Sequence, residues 1–262
     1  MKKGLSVLVS AALLCGCLIM PVAAVEVDAE LVDPWASELV NRAVEKKLMP
    51  ECLEGVSLKE NITRAEFAAV CVRLYEAMSN ETAKLPANNP FQDTDDPDVL
   101  KAYELGVVSG LAPDFFGGDE LLTREQAAVM LASVYKAQRI RSKGAYYLMW
   151  LVSQYGEYGG PGSSGDSSSD SSTIEDNYGL IPLAANNAVD GIYQKLYGEL
   201  DTSNATFFAD NADISGWARE SVYFMERNGV INGVGNNIFR PQNQTQSQAA
   251  LVMALQMLER LG

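Results

Sequence analysis

Apolar residues recur at helical spacing in three stretches of the chain, and each stretch opens on a threonine. Counted from Thr63, positions +4, +7, +8, +11 and +12 are Phe67, Val70, Cys71, Leu74 and Tyr75. From Thr123 they are Ala127, Met130, Leu131, Val134 and Tyr135. From Thr245 they are Ala249, Val252, Met253 and Met257, with Gln256 breaking the stripe at +11. That spacing puts one buried face on each of three helices. The openings Thr63-Arg64-Ala65-Glu66, Thr123-Arg124-Glu125-Gln126 and Thr245-Gln246-Ser247-Gln248 all fit a capping box. In it the hydroxyl accepts from the N3 amide while Glu or Gln reaches back to the cap amide.

The pattern upstream of each threonine is shared too. Leu31-Val32-Asp33, Phe91-Gln92-Asp93 and Phe208-Ala209-Asp210 open the three segments, and a shorter helix and a loop follow each. Trp35 and Trp217 each lie 28 residues before a threonine, and Leu48-Met49, Val107-Val108 and Val230-Ile231 occupy one common place after the first helix. A helix-loop-helix unit of this kind cannot bury its stripe alone, whereas three units wrapped around a shared axis can. The pattern therefore predicts an all-α, pseudo-threefold bundle of three repeats, 31–79, 90–138 and 206–262, interrupted by an insert over 139–203. Within the insert, Ala145 to Val152 is apolar and aromatic, reads as the end of a helix, and is too short to cross a bilayer. Residues 159–173, almost wholly Gly, Ser and Asp, read as a flexible linker, and Asn186 to Leu200 as a further short helix.

Charge narrows the function. With 34 acidic against 20 basic residues, the formal net charge is −14. Such a field repels nucleic acid and anionic lipid, so any anionic ligand needs a local cluster of donors. The chain has no histidine, which excludes histidine-dependent hydrolases and histidine-ligated zinc. Carboxylate pairs such as Asp210 and Glu220 carry nothing that marks them as catalytic, so no enzyme activity is expected. Asp93-Thr94-Asp95-Asp96-Pro97-Asp98 is rich in acid but lacks the glycine and distal glutamate of an EF-hand loop. It reads as a solvated helix start, and neither a metal nor a cofactor is expected.

The N-terminus reads as an export signal: Lys2 and Lys3, an apolar run from Leu5 to Met20, then small residues that place cleavage after Ala24. Lipidation at Cys17 is the competing reading. Cleavage leaves Cys52 and Cys71, which either form a disulfide or, since Cys71 falls on an apolar stripe, remain free thiols.

Ile62-Thr63-Arg64-Ala65-Glu66-Phe67-Ala68 resembles the signature of S-layer-homology motifs, and Phe208-x-Asp210, Trp217, Gly229-Val230-Ile231-x-Gly233 and Phe239-x-Pro241 resemble its remaining landmarks. The resemblance implies a non-catalytic protein held to the envelope of a Gram-positive bacterium by an anionic, often pyruvylated, secondary cell-wall polysaccharide. It implies ligand contacts from Arg64 and Arg124, from Trp35 and Trp217, and from the loop glycines Gly106, Gly110, Gly229 and Gly233. Three departures stand out: Lys47-Leu48-Met49-Pro50-Glu51 replaces the glycine loop of the first repeat, the second lacks the tryptophan, and Gln246 stands where the third should have arginine. Independently of the resemblance, a cation in the first turn opposes the helix dipole. A guanidinium beside free amides makes an anion site, with bridging to nearby carboxylates as the plainer alternative. The tryptophans serve either as core anchors or as platforms for sugar. A structural scaffold that offers the insert to a protein partner is the alternative function.

Overall fold

The computed structural model describes residues 26–142 and 188–262. The export signal, the Ala145 to Val152 stretch and the 159–173 linker lie outside the described residues. The described residues form seven α-helices: α1 (Ser37–Glu45), α2 (Arg64–Ser79), α3 (Pro97–Glu104), α4 (Arg124–Ser142), α5 (Ala188–Tyr197), α6 (Arg219–Arg227) and α7 (Ser247–Leu261). The described residues contain no strand, only four isolated bridges, and the fold is all-α as expected.

The long helices α2, α4 and α7 meet one another, and each carries a short helix from a neighbouring segment: α3 on α2, α6 on α4 and α1 on α7. Phe67, Cys71 and Leu74 of α2, Ala127, Leu131 and Val134 of α4, and Ala250, Ala254 and Met257 of α7 are fully buried where the helices converge. Burying each larger side chain stabilises the fold by about 1.5–3 kcal/mol. Cys52 and Cys71 are both free, so the disulfide between them does not form. Burial pushes the Cys71 thiol far above its ordinary range. α4 runs to Ser142, beyond the expected repeat end at 138, and α5 falls within the helix expected over 186–200.

Backbone hydrogen bonds link the three helix starts in a closed circuit. Ile62 N donates to the Thr245 carbonyl (2.8 Å), Thr245 N to Leu122 (2.9 Å), and Leu122 N to Ile62 (3.0 Å). One step on, the amides of Arg64, Arg124 and Ser247 donate to the carbonyls of Glu120, Asn243 and Glu60, each at 2.9 Å. This register corrects the third opening by one residue. Gln246, not Thr245, stands where Thr63 and Thr123 stand, and it makes no side-chain cap bond. Capping boxes do form at Thr63 with Glu66 and at Thr123 with Gln126. Thr245 is instead buried, with its hydroxyl unpartnered. The shift also accounts for Gln256: counted from Gln246, position +11 is the buried Met257.

Candidate functional site: two arginine seams

Arg64 and Arg124 each begin a long helix and reach across to the loop of the next segment. The Arg64 guanidinium lies 5.0 Å from the centroid of the Phe116 ring, and its Nη2 donates to the Ser109 carbonyl at 3.0 Å. Arg124 repeats this at the other seam: it lies 5.0 Å from the Phe239 centroid, Nε donates to the Phe239 carbonyl and Nη2 to the Asn232 carbonyl, both at 2.9 Å. Neither arginine closes a salt bridge among the described residues, so the plainer expectation of carboxylate bridging does not hold. Burial lowers the pKa of both, while the more distant Glu120 and Asp210 act to raise it. Arg64 is only 8% exposed, and its buried Nε has no partner among the described residues.

The aspartates of the segment openings shape the loops that receive these arginines. Asp93 accepts from the amides of Phe116 (2.7 Å) and Gly117 (2.8 Å), and Asp210 from those of Phe239 (2.8 Å) and Arg240 (2.7 Å). Desolvation pushes both carboxyls up, but these amides outweigh it and hold them below their ordinary range. Each clamp thus fixes the aromatic ring that lies beneath a guanidinium. Glu125, only 2% exposed, fastens the start of α4 to the third segment by accepting from Ser215 N (2.9 Å), Ser215 Oγ (2.8 Å) and Gln242 Nε2 (2.7 Å).

The loop glycines serve the backbone. Gly106 and Gly229 follow their helices with φ of 70° and 67°, a left-handed turn that favours glycine, and Lys47 takes the same turn at φ 61° without glycine's freedom. At Gly110 a Cβ would come within 2.3 Å of the Ala112 carbonyl, and at Gly233 within 2.9 Å of the Ile238 carbonyl. These two sit beside Ser109 and Asn232, whose carbonyls hold the arginines.

The tryptophans are not core anchors: Trp35 is 55% exposed and Trp217 61%. Trp217 lines a cleft with α4 and α5, and Arg124 is not among that cleft's lining residues. At the third seam Ser247 occupies the arginine position, correcting the expectation at Gln246. There Gln248 and Asp33 exchange two bonds: Asp33 N donates to Oε1 (2.9 Å), and Nε2 donates to an Asp33 carboxylate oxygen (2.7 Å). In the acidic stretch, Asp96 caps α3 by accepting from the Asp98 and Val99 amides, and Asp98 pairs with Arg73 and Lys101. Phe116 and Phe239 were not among the expected site residues. Their signal was a phenylalanine at −7 from the helix cap in two of the three segments, which emerges only once the third cap is moved to Gln246.

Two stretches of the chain, 93–128 and 208–245, match the S-layer homology domain. Over 240 residues and 89% of its length, the chain is 23% identical to an amylopullulanase of Thermoanaerobacterium thermosulfurigenes, of which it covers 10%. Over 107 residues and 38% of its length, it is 29% identical to an endoglucanase of Bacillus sp. (strain KSM-635), of which it covers 11%. The chain thus spans about a tenth of the length of the curated relatives it matches. Each matched stretch runs from a loop-clamping aspartate, or two residues before it, through the phenylalanine under an arginine. S-layer homology domains are cell-wall-anchoring modules, and the two stretches associate this chain with the cell surface.

Proposed function

We propose that this chain is a non-catalytic, exported protein of the Gram-positive envelope that binds an anionic secondary cell-wall polysaccharide, such as a pyruvylated one, at seams between three repeats arranged with pseudo-threefold symmetry. The observation that carries the reading is the Arg64 guanidinium. It is nine-tenths buried in the first turn of a helix and held by a carbonyl rather than a carboxylate, and one N–H has no acceptor among the described residues. Leaving a buried charged donor unpaired is costly, so an anionic ligand that supplies the acceptor stabilises the site. Arg124 repeats the ring and carbonyl contacts with more exposure, its Nε taken by the Phe239 carbonyl, and at the third seam Ser247 stands in place of the arginine while Lys59 pairs with Asp33 at 3.9 Å. Two of the three seams are therefore the binding sites. Carboxylate catalysis is disfavoured because Asp210 is taken up by two amides and Glu220 accepts from the Leu200 amide.

Pelleting the full chain with walls, before and after removal of the non-peptidoglycan polymer, tests the reading. The chain should pellet only with unstripped walls. Arg64→Ala and Arg124→Ala should each weaken binding about tenfold, the loss of one charged hydrogen bond, with helicity unchanged. Equal pelleting by both variants and the parent would remove the anion-site claim. One observation favours the alternative of a display scaffold. The insert's returning helix α5 is fastened to α4 by the Lys136–Asp190 pair at 2.7 Å and by Tyr193 against Tyr135, a mount suited to presenting the insert to a protein partner.

A further inference from the structure

We propose that the cavity between the far ends of α2, α3 and α4 binds a small zwitterion, an amino acid with an apolar side chain, at a site separate from the arginine seams. The cavity, of about 470 Å³, is walled by Tyr75 of α2, the loop 81–84, Glu104 and Leu105 at the end of α3, and Arg141 of α4. That volume is in the range of small-ligand sites. Arg124 opens α4 and Arg141 nearly closes it, so the cavity lies about 25 Å along that helix from the seam. The loop wall is fixed in place. Asn80 turns left-handed at φ 57° after α2, Ala83 N then donates to the Glu76 carboxylate (3.0 Å), and Glu81 N to Ser79 Oγ (3.2 Å). Tyr75, 1% exposed, donates its phenol to Glu81 at 3.4 Å.

Two opposite charges carry the inference. Glu104 is only 7% exposed, yet its carboxylate accepts no hydrogen bond and closes no ion pair among the described residues. A buried carboxylate left bare is costly, and the cavity is the space it lines. Burial lifts the Glu104 carboxyl above its ordinary range, and Arg141 acts against that lift without pairing with it. Arg141 is the second charge: its Nε is buried with no partner among the described residues. Two charges placed to stabilise each other would touch. Here both line one cavity and each stays unsatisfied, so a ligand that brings an ammonium and a carboxylate completes both.

Charge and surface set the class of ligand. With Glu81 and Lys84 also lining it, the cavity holds two acids and two bases and is net neutral. A ligand with one charge leaves Glu104 or Arg141 bare, whereas a zwitterion leaves neither. Leu105 and Ala83, 2% and 5% exposed, join the Tyr75 ring as apolar wall for a hydrocarbon side chain.

Saturation-transfer NMR on the full chain tests this, with L- and D-alanine, valine and leucine as probes. The comparisons are their N-acetyl forms, which lack the ammonium, and their amides, which lack the carboxylate. At least one zwitterion should receive saturation at about 10 mM, a weak small-ligand affinity. Its N-acetyl and amide forms should each bind about tenfold more weakly, the loss of one charged hydrogen bond. Glu104→Gln, which keeps the shape and removes the charge, and Arg141→Gln, near the helix end, should each weaken the zwitterion as much with helicity unchanged. If either variant loses helicity, the comparison among probes, which needs no variant, decides. Silence from every zwitterion, an N-acetyl or amide form responding as strongly, or a signal that survives both substitutions would each overturn the proposal. Arg64 and Arg124 take no part in the readout, so its failure and the failure of wall pelleting are separate results.

Discussion

Arg64 combines features that seldom serve stability alone. A cation in the first helical turn opposes the macrodipole, and its burial removes water without supplying a carboxylate in return. The contact with Phe116 offsets part of this cost, and the Ser109 carbonyl another part. Lys47 carries a different local cost. It takes the left-handed turn that Gly106 and Gly229 take in the other segments, and a side chain there is strained by about 1–2 kcal/mol. Part of that is recovered because lysine has a less mobile unfolded chain than glycine. Lys47→Gly should therefore raise stability by roughly 0.5–1 kcal/mol, read as a shift in the denaturant midpoint at unchanged slope. A lower midpoint would mean that the lysine side chain contributes contacts outweighing its strain.

At the scale of elements, the helix starts show what the chain's local pattern conveys and what it withholds. Thr63 and Thr123 were legible as caps because cap and N3 partner lie within four residues, so the evidence is entirely local. Thr245 carries the same local signature, with Gln248 in the N3 place, yet Gln246 is the cap. The deciding bonds, from Thr245 N to Leu122 and from Ser247 N to Glu60, join residues far apart in the chain, and no local pattern encodes them. The two registers predict opposite signs. Thr63→Ala should cost about 1 kcal/mol through its lost cap. Thr245→Val removes a buried hydroxyl that has no partner, and should be neutral or stabilising by up to about 1 kcal/mol. A Thr245→Val loss equal to that of Thr63→Ala, in matched denaturant unfolding, would reinstate the threonine as a cap. The clamped loops behave in a likewise predictable way with acid. The folded pKa of Asp93 lies below its ordinary 3.8, so the stability it contributes is present above that value and is lost as pH falls through the lower folded one. Melting temperature should drop steeply below about pH 4 and less steeply in Asp93→Asn; parallel curves for the two proteins would contradict the clamp.

Across the whole molecule, the closed circuit through Ile62, Leu122 and Thr245 and the pairing of Arg42 with Glu259 tie the first and last segments together. The all-α architecture was legible because three separated stripes, each unable to bury itself, admit few other solutions. Exposure of the tryptophans was not, because Trp35 and Trp217 lie in the turns just before α1 and α6, where helical periodicity does not say which way a side chain faces. Nor was the pairing of each arginine with the loop of the following segment, since that depends on how the units dock rather than on any one unit. The central claim is that buried guanidinium groups at those junctions hold acid groups of a wall polymer. The most direct measurement is the affinity of the full chain for the purified polymer before and after its carboxylates are converted to neutral amides. The account predicts that affinity falls at least tenfold on neutralisation, one charged hydrogen bond or more per site; an affinity unchanged by it would contradict the claim.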